Sequence, residues 1–378
     1  VGELGNILAR HSNHSVTVWQ VQIMGSPHPP ETARYPAHMS KHNLTCWALS
    51  DGRRGMENQA LGLAEAVAAD GGIAVEVKRA GLSQSHAWMP EALLASPLAN
   101  PLSHLAPDSD TLAAPWPDLL VGCGRIAAGL SIAMRRAAEK EGRKLITVQT
   151  QHPRLSPAFF DLVIPPAHDG LSGKNVIPIL GAPSRVNPKR LEEEAQTWRP
   201  SLNNLPRPLV AVLIGGSSHA YAFTQADASA LCTQLLKLRA DTGCGLAITA
   251  SRRTGQSVGK YLRETLRGDG IWFWDDEGDN PYFGMLGLAD HIIVTSDSTN
   301  MVTEAAGTGK PIHVVHLPGG SKKFNRFHRA MQTRGFARRF DGMLDSWTYE
   351  PLNEAARIAP QIRELIGLAA GLPLAVAD

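Results

Sequence analysis

The sequence predicts an α/β protein made of two Rossmann-like domains facing each other across a cleft. Three observations carry that expectation. Short β-rich apolar runs alternate with helical patterns from Leu44 onward. The alternation breaks at a polar, proline-marked seam before LVAVLIGG at 209–216, where it begins again. The chain has 378 residues, 43% hydrophobic and 19% charged, which exceeds one small domain and suffices for two cores.

In the first half, strands are expected at 44–49, 73–78, 118–123, 144–149, 161–164 and 175–179. Helices are expected at 57–69 and 126–141; in the first of these Ala60, Leu63, Ala64 and Val67 recur at helical spacing. The segment from Ser83 to Trp116 is rich in Pro, Ser and His, has no clean period, and is read as irregular with one short helix near 90–95. Residues 187–199 read as a polar helix and 200–208 as a linker, giving an N-terminal domain over 39–199 and a C-terminal domain over 209–344. The second domain is expected to run strand 209–216, helix 225–240, strand 246–250, helix 256–266, strand 270–274, helix 280–288, strand 291–295, helix 299–307, strand 311–316 and helix 323–334.

Composition narrows the function. Thirty-seven basic against 35 acidic residues give a net charge of +2, too balanced for a general nucleic-acid binder, so no nucleic-acid partner is expected. Cys46, Cys123, Cys232 and Cys244 form no CxxC pair, which fits buried thiols in a reducing, cytoplasmic setting and no zinc site. No apolar run approaches the ~20 residues of a membrane span. Residues 1–38, with Pro27, Pro29, Pro30 and Pro36, read as a flexible extension rather than a secretory signal, and Met39 as the natural first residue.

Three strand ends carry the chemistry. The strand that begins at Leu209 ends in Gly215-Gly216-Ser217-Ser218, where glycines admit a ligand to the backbone and hydroxyls donate to phosphate. Strand 246–250 ends in Ser251-Arg252-Arg253, two guanidiniums placed where open α/β sheets bind ligands. Strand 291–295 enters Ser296-Asp297-Ser298-Thr299-Asn300, a run of capping residues before an apolar-periodic helix. The first-turn amides and helix dipole there form an anion site suited to a nucleotide diphosphate, and Glu304 is placed to accept both hydroxyls of a ribose. Taken singly, each has a plain structural alternative: a turn, a solvated basic loop, a helix cap and a surface acid.

The ordered set of GGSS, SRR, NPYFGMLGLAD (280–290) and SDSTNMVTEAAGTGKP resembles the nucleotide-sugar-binding half of GT-B glycosyltransferases. With DGRRGMENQALGLAEAV (51–67), Gln151 to Arg154 and Ala167-His168-Asp169, the likeness is closer to the mitochondrial-fission ELM family. The bacterial members of that family are described as glycosyltransferases or nucleoside-diphosphate-sugar epimerases. The resemblance covers about 44–340 and implies a two-domain GT-B fold with a nucleoside-diphosphate sugar as donor. Gly215, Gly216 and Ser217 would line the donor pocket, while Ser251, Arg252 and Arg253 would meet the diphosphate. Ser298, Thr299 and Asn300 would hold phosphate at the helix start, and Glu304 would hold the ribose. Two departures stand out: His152 replaces the acid of the family's QDPR run, and the stretch before Met39 has no counterpart. The fold likeness also suggests that helices in 345–378 pack back on the first domain.

In the first half, Asp51-Gly52 follows the first strand, and Gly55, Glu57, Asn58 and Gln59 open the next helix, facing the cleft. Acceptor contacts are placed at Gly55, Asn58 and Gln59. Asp51, Glu57 and His152 are the candidate general bases, although Asp51 can equally bond turn amides and Glu57 can serve the helix dipole. Gly122-Cys123-Gly124 matches a loose dinucleotide fingerprint but lacks the acid at the end of the next strand, where Val148-Gln149-Thr150 stands. The glycines are read as tight packing, with no nicotinamide cofactor. Asp108-Ser109-Asp110 lies in the irregular region and Asp275-Asp276 is unspaced, so no metal is expected and the diphosphate falls to amides and arginines.

Lys322 to Arg339 is basic without an acid, with Phe324 and Phe327 interleaved. One reading is a peripheral membrane contact serving a glycan or lipid-linked cell-envelope acceptor. The favoured one buries the aromatics and leaves the cations in water or near the donor phosphates. The expected function is a metal-independent GT-B glycosyltransferase; the alternatives are a nucleoside-diphosphate-sugar epimerase and a non-catalytic interaction protein.

Overall fold

The first strand, β1 (Leu44–Ser50), opens a computed structural model that describes residues 44–369; the expectations for 1–38 and Met39 lie outside the described residues. β1 is followed by α1 (Arg54–Ala68), β2 (Ile73–Arg79), the short α2 (Glu91–Leu94), β3 (Leu119–Cys123), α3 (Arg125–Lys140), β4 (Ile146–Thr150) and β5 (Leu162–Ile164). These strands form a parallel sheet in the order β2-β1-β3-β4-β5. After α4 (Pro188–Leu202) come β6 (Leu209–Ile214), α5 (Gln225–Thr242), β7 (Gly245–Ala250), α6 (Gln256–Thr265), β8 (Ile271–Phe273) and α7 (Tyr282–Leu288). The chain continues through β9 (His291–Thr295), α8 (Thr299–Ala306), β10 (Ile312–Val315), α9 (Lys322–Thr333), β11 (Ala337–Arg339) and α10 (Glu354–Ala369). The second sheet is also wholly parallel, ordered β11-β10-β9-β6-β7-β8.

The protein is therefore α/β with two parallel-sheet domains, as the alternating pattern predicts. β3, β4, β6 and β9 are buried at every residue, because helices cover both faces of a parallel sheet; β3 and β6 are apolar throughout, while β4 and β9 also carry buried polar side chains such as Gln149 and Thr295. Strand order reverses direction between β1 and β3 in the first sheet and between β6 and β9 in the second. At such points the loops leaving the strand ends part in opposite directions and open a crevice.

Several elements depart from expectation for local reasons. Residues 175–179 form no strand, only isolated bridges from Val176 to Val163 and from Ile179 to Pro166. Pro165, Pro166 and Pro178 each lack the amide a ladder needs. α4 continues through Pro200 to Leu202, three residues into the expected linker; Pro200 lies in its last turn. β11 was not anticipated, since it is three residues long and two of them are exposed arginines.

α10 lies against α1, placing Ala355, Ile358, Ile362 and Ile366 in the core of the first domain, and Arg363 donates to the Val67 carbonyl at 2.7 Å. The described residues, 44–369, lie in one compact unit that contains both sheets. α1 helps join its two domains. A Cβ on Gly62 would stand 2.6 Å from the Ser184 carbonyl carbon, and Glu65 on the same helix takes Arg185 at 2.7 Å and Arg190 at 3.2 Å.

Candidate active site

The crevice between β6 and β9 is built around Asp297. The Gly215 amide donates to Thr295 Oγ1 at 2.7 Å, and that hydroxyl donates to Asp297 Oδ1 at 2.7 Å. The Gly216 amide reaches Asp297 Oδ2 at 2.9 Å, and Arg253 Nη2 pairs with the same oxygen at 2.7 Å. The carboxylate is shut off from solvent, whereas the Arg253 side chain is 41% exposed. A Cβ on Gly215 would sit 2.2 Å from Asp297 Oδ2, and one on Gly216 would sit 2.1 Å from the Arg253 backbone. The glycine pair therefore admits the protein's own chain at this point.

Its neighbours are also engaged internally. Ser217 Oγ accepts the Phe223 amide at 3.0 Å, while the Ser217 amide donates to the Arg253 carbonyl at 3.1 Å. Ser251 Oγ accepts the Arg253 amide at 3.2 Å and caps a 3₁₀ turn over Arg252–Thr254. Arg252 is exposed and makes no ion pair among the described residues.

At the start of α8, Ser298 Oγ accepts the Met301 amide at 3.4 Å as the helix cap. The Thr299 and Asn300 amides have no acceptor among the described residues, and both residues are half-buried. Orphan donors of this kind at a helix start carry the positive end of the dipole. The Asn300 side chain meets the first domain: its Oδ1 accepts Gln59 Nε2 at 3.2 Å, and a Cβ on Gly55 would stand 3.1 Å from its Nδ2.

Glu304, one turn further on, is buried. Tyr282 donates to its Oε2 at 2.7 Å, and Asn58 from the first domain lies near enough to favour the charged carboxylate. Desolvation raises its pKa to about 7, against the lowering effect of Tyr282, Asn58 and Arg185. A ribose would reach this carboxylate only by displacing Tyr282 or Asn58.

Across the gap, Asp51 and Gly52 leave β1 at the first sheet's switch point. Asp51 Oδ2 holds Arg53 Nε at 2.8 Å and Nη2 at 2.6 Å. Glu57 grips Arg79 with both oxygens, at 2.5 and 3.0 Å. Gln59 is buried and ties three elements together: Oε1 accepts Gln151 Nε2 at 3.1 Å, and Nε2 donates to the Gly55 carbonyl at 3.1 Å and to Asn300. His152 is exposed, and its Nδ1 accepts the Arg154 amide at 2.9 Å. In the neutral ring the proton then lies on Nε2, so the free edge donates, which is the wrong polarity for a base.

Sequence reasoning missed Gln151, Tyr282 and the central role of Asp297. Gln151 and Arg154 have φ of 65° and 58°, a left-handed backbone uncommon for these residue types. Asp297 lay inside the capping cluster, but nothing in its spacing says that it turns back onto β6. Gly122 is a packing glycine: a Cβ there would meet Gln149 Oε1 at 2.6 Å. Among the described residues no three His, Cys, Asp or Glu side chains converge as a metal-binding group.

α9 docks across the domains. Lys323 pairs with Asp169, and Arg326 donates to the His168 carbonyl at 2.6 Å. Phe327 is core and Phe324 packs on Tyr221, so the aromatic side that a membrane-surface helix needs is turned inward. No helix among the described residues is long and apolar enough to cross a membrane.

Among solved structures, the UDP-GlcNAc 2-epimerase of Methanocaldococcus jannaschii aligns with a TM-score of 0.49 at 12% identity, covering 85% of this chain and 99% of that one. Acinetobacter baumannii MurG aligns with a TM-score of 0.41 at 15% identity, covering 87% and 100%. Among sequences, the mitochondrial fission protein ELM1 of Arabidopsis thaliana is 31% identical over 275 residues, which are 65% of this chain and 63% of that protein. An uncharacterized protein of Rickettsia prowazekii, RP120, is 28% identical over 288 residues, covering 65% and 79%. The chain thus spans less than two thirds of the Arabidopsis relative. The profile of the family described as Mitochondrial fission ELM1 matches residues 54–366, and the chain belongs to that family.

Proposed function

We propose that the protein is a glycosyltransferase that takes a nucleoside-diphosphate sugar on its second domain and an acceptor hydroxyl on its first. The observation that carries this reading is the start of α8. Two orphan amides, Thr299 and Asn300, lie just beyond the carboxyl end of β9, beside the switch point, and the Asn300 side chain meets the opposite domain. With Arg252 they are the donors left for a diphosphate, since Ser217, Ser251 and Arg253 are engaged within the protein. Transfer in this scheme is metal-independent: the acceptor oxygen attacks the anomeric carbon, the bond to the diphosphate breaks, and the charge on the leaving group is met by those amides and Arg252.

Asp51 is the base in this scheme. It stands at the first switch point, four residues before Gly55, and its partner Arg53 has a side chain 67% exposed. Opening so exposed a pair costs under about 1 kcal/mol and involves one Asp51 oxygen, whereas His152 presents an N–H and Glu57 has both oxygens on the Arg79 side chain. The acceptor hydroxyl gives its proton to Asp51.

One set of observations favours a second reading, a non-catalytic interaction protein on the same fold: the crevice donors bond Asp297 and the Glu304 carboxylate is taken. A thermal-shift screen of nucleotides and nucleotide sugars separates the two. Stabilisation by nucleoside diphosphates, followed by diphosphate release from a donor sugar, supports the enzyme; no shift with any nucleotide supports the interaction protein.

A further inference from the structure

We propose that Asp297 is a built-in counter-anion that sets the charge the second-domain crevice accepts. The inference rests on the donor reading above and concerns the same site. In a parallel sheet the crevice at the strand-order reversal is where an anionic ligand finds amides and cations. Here the Gly216 amide, the Thr295 hydroxyl and Arg253 converge, within 2.7 to 2.9 Å, on the carboxylate of Asp297 instead. Three donors around one shielded carboxylate reproduce the coordination that a phosphate oxygen would have.

Gly215 makes this possible, since any side chain at that position would collide with the Asp297 carboxyl group. The pair of Arg253 and Asp297 is neutral overall, and Asp297 is two residues from Thr299, so a ligand phosphate at the α8 amides has a carboxylate as near neighbour. The carboxylate thus cancels the attraction that Arg253 would offer, and each added phosphate charge gains little from the pair. The crevice therefore favours a ligand for its nucleoside and a single phosphate, and gains little from the second.

The consequence is measurable in the unaltered protein. Calorimetric titration with UMP, UDP and UTP at one ionic strength should give affinities rising less than about threefold along the series. Asp297→Asn keeps the shape and removes the charge; it should raise UDP affinity about tenfold, equivalent to ~1.4 kcal/mol, and restore a rise with each phosphate. Inorganic pyrophosphate should bind the variant and not the parent. If Asp297→Asn does not fold, the flat series in the parent remains the test.

A parent affinity that climbs tenfold per phosphate, or a folded variant no better for UDP than the parent, overturns the inference while leaving the donor reading standing. A parent that binds none of the three nucleotides, beside a variant that binds UDP, upholds the inference and removes the enzymatic reading. Binding by neither protein removes both.

Discussion

The two switch points of this molecule share a topology and differ in what fills them. At the first, between β1 and β3, the turn at Gly52 is open: φ is 77°, a Cβ would find only Arg79 Cδ at 3.9 Å, and Arg53 reaches solvent. At the second, between β6 and β9, Gly215 and Gly216 are packed against Asp297 and the Arg253 backbone, and the crevice donors bond a carboxylate of the chain itself. Strand order places a crevice; the side chains decide how much of it the protein's own groups fill.

The sharpest way to break that contrast is by adding one methyl group. Gly216→Ala should destabilise the protein by about 3 kcal/mol or more, because the clash at 2.1 Å is with backbone that has no room to move. Gly52→Ala should cost about 1 to 2 kcal/mol, from the left-handed backbone alone. Urea unfolding of both variants checks this, and equal losses would erase the distinction between packed and open turns.

A second test uses pH. Glu304 ionises at about 7 in the folded protein against an ordinary 4.5, because burial disfavours its charge. Between those values the folded state holds a proton that the unfolded state has released. Glu304 therefore makes stability fall as pH rises from about 4.5 to about 7, by roughly 3 kcal/mol in total, with no further change above. Glu304→Gln removes that slope, so the variant should gain on the parent by about this amount between pH 4.5 and pH 8. Parallel stability curves would show that the carboxyl is not desolvated as described.

Smaller effects are expected where the domains meet and at the surface. Gln59→Ala and Asn300→Ala, combined in a double-mutant cycle, should show a coupling of about 1 kcal/mol for their hydrogen bond. Independent losses would mean that the amide bridge between the domains contributes nothing. Arg252→Ala should leave unfolding unchanged and weaken UDP binding about tenfold, as expected for an exposed guanidinium with no partner in the protein.

Much of the fold was legible because its cause is local. A strand buried on both faces is mostly apolar, and β3 and β6 announce themselves by continuous apolar runs. β11 did not, since Arg338 and Arg339 are solvent-facing and only Ala337 is buried. At the site, the strand ends and the α8 cap were readable from glycine, serine and threonine spacing.

What those residues bond to was not readable. Asp297 closes on Gly216 across 81 positions, Gln59 reaches Asn300 across 241, and Tyr282 covers Glu304 across 22. Such pairings depend on which strands become neighbours, information that no single segment holds. The left-handed Gln151 is similar, for its conformation is held by contacts with Ile164 and Gln59 from other elements.

The central claim is that the first amides of α8 hold a diphosphate. The most direct measurement is titration of the isotopically labelled protein with UDP while following the Thr299 and Asn300 amide resonances. The account predicts that both move in a saturable way, at the same UDP concentration and more than the amides of α5 at the far side of the sheet. Saturable shifts elsewhere with these two unmoved, or no shifts at all, would contradict it.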